Sequence, residues 1–207
     1  METDKKMCCT ILAILYVLLS YASPFIWLEL EGRKGEDSST AVFLALALPF
    51  FMGMINAIYL RINFQKISRS TLLRCAILIK YLLIPMYIVG GLLIAVFLLL
   101  TFTPVVIMIF VGPFMIAVLS VYGYATMLGG NAFSLAYIRK AKEEGVHGRV
   151  LSTIGKILQF FFSVDVISMA ILSLKEKKYI GATILVIVLL VLGFVGIFAW
   201  LVVDIFR

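Results

Sequence analysis

The sequence is poor in most of what builds a soluble enzyme. Only 14% of its 207 residues are charged, against about 25% in a typical soluble domain. Histidine occurs once, at His147, which excludes a histidine dyad and an H-E-x-x-H metal site. Cysteine occurs three times, at Cys8, Cys9 and Cys75, with no C-x-x-C pair, so no structural zinc is expected. These thiols read as reduced packing residues near membrane edges. There is no G-x-S-x-G elbow and no Walker A loop, which sets aside that hydrolase class and ATP hydrolysis by the chain itself. Paired intramembrane aspartates are absent as well. No enzyme activity, metal or cofactor is expected.

What is present is apolar surface. The chain is 63% hydrophobic, with a mean hydropathy of +1.14. A soluble protein of this size has no core large enough to hide so much. Lipid accommodates it, because an apolar outer face costs nothing there. The fold expected is therefore an all-α integral membrane protein in one polytopic domain. It is a bundle of about six transmembrane helices over residues 8–28, 41–60, 75–100, 105–128, 150–174 and 179–203.

The first stretch, 21 residues long, is read as a retained helix although Ser20-Tyr21-Ala22 resembles a cleavage site. Thr101-Phe102-Thr103-Pro104 predicts a tight turn, and Gly112-Pro113 a kink in the fourth helix. Gly129-Gly130-Asn131 predicts a break. Asn131 then caps a short cytoplasmic interfacial helix from Ala132 to Glu144, stopped by Gly145.

Orientation follows from the Lys and Arg count. With the N-terminus inside, eleven basic residues fall in inner loops and five in outer ones, the latter including Lys175, Lys177 and Lys178. That favours N-in, C-in. The net charge of +7 is explained by the same clustering beside apolar spans, so no nucleic-acid partner is expected. The weakest span is 150–174, which carries Asp165 and Gln159. Insertion costs about 3 kcal/mol for such an aspartate. If this segment did not cross, its trailing lysines would move inside and improve the charge count.

Four polar residues within spans are candidates for a ligand or ion pathway: Asp165, Asn56, Lys80 and Gln159. A carboxylate at mid-span is expensive and usually marks a pathway or a partner. For Asp165 the competing expectation is a structural pair with Lys80 or a hydrogen bond to Asn56 or a tyrosine. For Lys80 it is snorkelling to the membrane edge. Tyr16, Tyr81, Tyr87, Tyr122 and Tyr124 also lie within spans, as core residues or as the lining of a small-ligand pocket. In the second span, Ala41, Ala45, Pro49, Gly53 and Ala57 recur every four residues. Small residues so spaced let two helices approach closely, within the chain or against another subunit.

In size, helix number and basic inner loops the chain resembles, in architecture alone, the substrate-binding membrane subunits of energy-coupling-factor transporters. The Ala-x-x-x-Ala pair that docks that family belongs to the first helix and stands here in the second, so no family is assigned. The function expected is binding or transport of a small solute or ion, as a subunit of a larger assembly in a plasma or inner membrane. The rival is a non-transporting scaffold that binds a protein partner. Partners expected are the lipid bilayer and a protein subunit or a second copy of the chain.

Overall fold

A computed structural model describes residues 2–31, 38–161, 164–177 and 179–189. Among them the chain is helical, with no strand. Four helices are long and apolar enough to cross a bilayer: α1 (Glu2–Glu31), α2 (Ser38–Asn63), α3 (Arg69–Thr101) and α4 (Val106–Glu143). A single 3-10 turn, Phe64–Lys66, links α2 to α3, where Ser68 caps α3 by accepting from the Thr71 N–H. Two short helices follow, α5 (Arg149–Leu158) and α6 (Val164–Lys175), and then α7, described over Ile180–Leu189.

Polar side chains bonded to backbone carbonyls fix how the long helices lie. Ser23 on α1 donates to the Ala45 carbonyl on α2 at 2.5 Å, and Tyr122 on α4 donates to the Ser20 carbonyl on α1 at 2.5 Å. Tyr21 donates to the Leu82 carbonyl on α3 at 2.7 Å. Hydroxyls used this way bring their own hydrogen-bond partners into an apolar bundle. Each of α1 and α4 packs on both α2 and α3. One end of the bundle gathers Arg61, Lys66, Arg69 and Lys140. This is the basic end of the bundle.

The expected break at Gly129-Gly130 is absent, since α4 runs on to Glu143. The separate interfacial helix over 132–144 is therefore the last part of α4. The glycines serve close packing instead. A Cβ on Gly129 would sit 2.8 Å from the Tyr16 hydroxyl and 3.0 Å from the Pro49 carbonyl oxygen. Helix α4 also continues through Gly112 and Pro113. Gly145, with φ +72°, follows it as the expected stop.

The expected fifth span over 150–174 is two helices of 10 and 12 residues. At 1.5 Å per residue these measure about 15 and 18 Å, against a hydrocarbon core of about 30 Å. The pair does not cross the bundle. It rises beside α3 and α4 and returns, because Glu176, just past α6, contacts Arg69 and Tyr137 at the basic end. Lys175 and Lys177 thus belong to the basic end and not to an outer loop. The chain then reverses sharply, with left-handed φ of 53° at Lys177 and 57° at Tyr179. Thr183 on α7 accepts from Tyr81 of α3 at 2.8 Å. Of the expected sixth span, 179–203, residues 190–203 lie outside the described residues.

Candidate functional site

Three helices bring the site together inside the bundle, about a third of the way along α3 from the basic end. Lys80 stands eleven residues after the start of α3 at Arg69, about 16 Å from that end at 1.5 Å per residue. Its ammonium pairs with the Asp165 carboxylate of α6 and donates to the Asn131 side-chain oxygen of α4. Both charged side chains are only 1% exposed. Lys80 therefore does not snorkel to the bundle end. The other Asp165 oxygen accepts from the Val166 N–H at 2.8 Å. Asn131, expected as a helix cap, is an interior residue of α4 and the centre of this cluster.

The same asparagine explains how a helix break survives at this depth. Between α5, which ends at Leu158, and α6, which begins at Val164, the regular helix is interrupted. The Asn131 amide donates there to the Gln159 carbonyl. Such substitution by a neighbouring side chain is what a buried break requires. The Gln159 side chain is itself fully buried, and neither of its polar atoms has a hydrogen-bond partner. Asn56 on α2 is likewise buried with both amide atoms unpartnered, and no bond joins it to the Lys80–Asp165 pair.

The small-residue stripe of α2 is partly an internal contact. A Cβ on Gly53 would meet Gly129 Cα at 2.3 Å, so the backbones of α2 and α4 touch there. Ala45 is buried, with its carbonyl taken by Ser23 of α1. Ala57 is exposed and lies off this face, where Asn56 is buried instead. The side chain of Ala41 lies outside the described residues.

A second polar cluster, missed in the sequence, ties together the basic end. Arg69 bonds Glu144 at 2.8 Å and reaches Glu176 at 3.3 Å. Tyr137 donates to Glu176 at 2.6 Å. His147 Nε2 lies 3.0 Å from the Tyr137 oxygen, so with that hydroxyl spent on Glu176 the ring nitrogen is the donor. Burial pushes the His147 pKa down, opposed by the charge of Glu176. Nothing in the local sequence signals this cluster, because placing Glu176 in an outer loop put it a membrane's thickness away. Lys140 caps the α2–α3 turn by donating to the Phe64 and Ile67 carbonyls.

The geometry defines a class: an all-helical bundle of bilayer-length apolar helices, with a helical hairpin that penetrates part-way and carries one half of a buried ion pair. The chain belongs to a family of unknown function (DUF6652), whose profile matches residues 6–179. That match takes in both halves of the ion pair. No curated protein and no solved structure matches the chain.

Proposed function

We propose that this chain is a multi-pass membrane protein that binds a small charged solute or ion at the Lys80–Asp165 cluster and moves it, in an assembly with a protein subunit or a second copy of itself. The observation that carries the reading is the ion pair itself, buried inside the bundle beside a break between two helices. Charges at such depth are retained at a cost and usually serve a pathway. The chemistry available is exchange of partners. A cation reaching Asp165 competes with the Lys80 ammonium, which keeps the Asn131 oxygen as acceptor. The unpartnered Gln159 amide supplies a further oxygen or N–H to an incoming group.

The orientation proposed puts the basic end on the cytoplasmic face of a plasma or inner membrane. Lys175 and Lys177, now at that end, add to the positive charge there. With α5 and α6 returning to the side they left, the number of crossings depends on α1–α4 and on the last apolar segment.

The test is flux in proteoliposomes loaded with sodium or potassium, at varied pH, using the parent and Asp165→Asn. Transport by the parent and its loss in a folded Asp165→Asn variant is the expected result. Equal flux in both, or none above empty vesicles, sinks the proposal. The complete pairing of Lys80 and Asp165 favours a second reading, a scaffold in which the pair only fastens α6 to α3. In that case a Lys80→Met/Asp165→Leu double variant keeps every function of the parent.

A further inference from the structure

The half of the bundle away from the basic end holds a cavity of about 650 Å³. Ligand clefts fall between about 300 and 1,000 Å³. It lies among α1, α3 and α4, with Leu46 of α2 on its wall. Its α3 wall runs from Pro85 to Ile94, about 14 Å along the helix axis at 1.5 Å per residue. That height is about one leaflet of a hydrocarbon core roughly 30 Å thick. Phe25 of α1 and Val89 and Leu93 of α3 line it and are exposed, so the space is not sealed along these two helices.

Two features describe the occupant. The first is the state of two of the four wall tyrosines, Tyr21, Tyr87, Tyr122 and Tyr124. Tyr21 and Tyr122 already donate to the Leu82 and Ser20 carbonyls, so these hydroxyls are not offered to a polar guest. The second is Gly90-Gly91. Each glycine within a helix costs about 1 kcal/mol relative to alanine. Gly53 and Gly129 have a reason in the packing, because a Cβ there collides with another helix. Gly90 and Gly91 have none, since a Cβ at either meets nothing within 4 Å. Both face the cavity wall. Their missing side chains enlarge the cavity, and no contact among the described residues uses the space.

We infer that this cavity is a lipid-binding site that takes one aliphatic chain of a membrane phospholipid, entering sideways between α1 and α3 and lying along the bare backbone at Gly90-Gly91. Hydrocarbon is what surrounds a lateral opening at this depth, and a long apolar space of one leaflet's height fits an acyl chain better than a compact polar solute. The inference rests on the bundle lying in a bilayer, not on the chemistry proposed for Lys80 and Asp165.

The experiment reconstitutes the full chain in dioleoylphosphatidylcholine vesicles, confirms that it floats with them, extracts it into mild detergent and washes it. Retained phospholipid is then measured by native mass spectrometry. The parent is expected to keep phospholipid. Gly90→Leu and Gly91→Leu are expected to retain about tenfold less, a loss of about 1.4 kcal/mol of binding, with melting temperature equal to the parent's or higher. As a measurement free of cavity variants, Trp27, on the cavity wall, is read by fluorescence in a Trp200→Phe chain loaded with phospholipid brominated along its chains. After washing, Trp27 emission is expected to stay quenched. A parent stripped bare by the wash, equal retention by folded leucine variants, unquenched Trp27, or a polar solute found in place of lipid would each overturn the assignment.

Discussion

Two polar clusters hold this bundle, and they use similar chemistry in different surroundings. In the interior, Lys80 and Asp165 are each 1% exposed and surrounded by helices. At the basic end, Arg69 is 21% and Glu144 41% exposed, while Glu176 is 3% exposed. Charge separation in the first costs much more than in the second, because no water replaces a lost partner. The interior pair therefore decides whether α6 stays in place. The basic-end cluster decides where the chain goes after α6.

Several changes break or sharpen that contrast. The first is all-or-none and concerns path. In a cysteine-free background, single cysteines at Lys66 and Lys177 are expected to react with an impermeant thiol reagent from the same face of sealed vesicles. Reaction from opposite faces rules out the returning hairpin. Next come the helix contacts. Gly53→Leu is expected to lose the fold outright, since the Cβ alone would fall 2.3 Å from Gly129 Cα on a rigid backbone. Gly90→Leu, in open space, is expected to leave melting unchanged or raise it. If both variants melt alike, the α2–α4 contact is misplaced.

The interior pair follows. Asp165→Leu alone leaves a buried ammonium unpaired and is expected to cost about 3–5 kcal/mol, read from thermal unfolding in detergent. Adding Lys80→Met is expected to recover most of that loss, because a buried pair replaced by apolar groups is close to neutral. A double variant as unstable as the single one would show that Asn131, not charge pairing, holds the site.

At the basic end the effect is smaller and depends on pH. Burial lowers the His147 pKa below its ordinary 6.5, so the folded protein resists the proton that the unfolded chain accepts. Stability is then complete above about 6.5 and falls as pH drops through that value. Glu176, Lys175 and Arg69 face the ring, and His147→Gln is expected to flatten the profile between mildly acid and neutral pH. The smallest effect is at Glu143. Its exposed pair with Arg139 one turn away is expected to contribute about 0.3–0.5 kcal/mol, so Glu143→Gln leaves melting within error.

The four long helices were legible because each needs only local information: enough apolar residues in a row to prefer lipid to water. Their polar neighbours at the basic end were legible for the same reason. The errors are all places where one segment's state depends on another. Gly129-Gly130 reads as a break by propensity, yet tertiary packing against Tyr16 and α2 uses those glycines inside a helix. Asn131 reads as a cap, and it is instead the donor that satisfies the Gln159 carbonyl. The segment 150–174 has the length and apolarity of a span, but its course depends on a partner for Asp165 found 85 positions earlier.

Composition alone determined that the chain is built of apolar helices, and the spacing of its basic residues marked one end of the bundle. Those are properties of a segment and its solvent. Only the tertiary structure decided that α5 and α6 return without crossing, that Lys80 pairs with Asp165 rather than reaching for the surface, and that Glu176 joins Arg69 and Tyr137. Each of these is the choice of a partner for a polar group. In a low-dielectric interior that choice outweighs local propensity, because a charge or carbonyl left without a partner costs more than any helix preference returns.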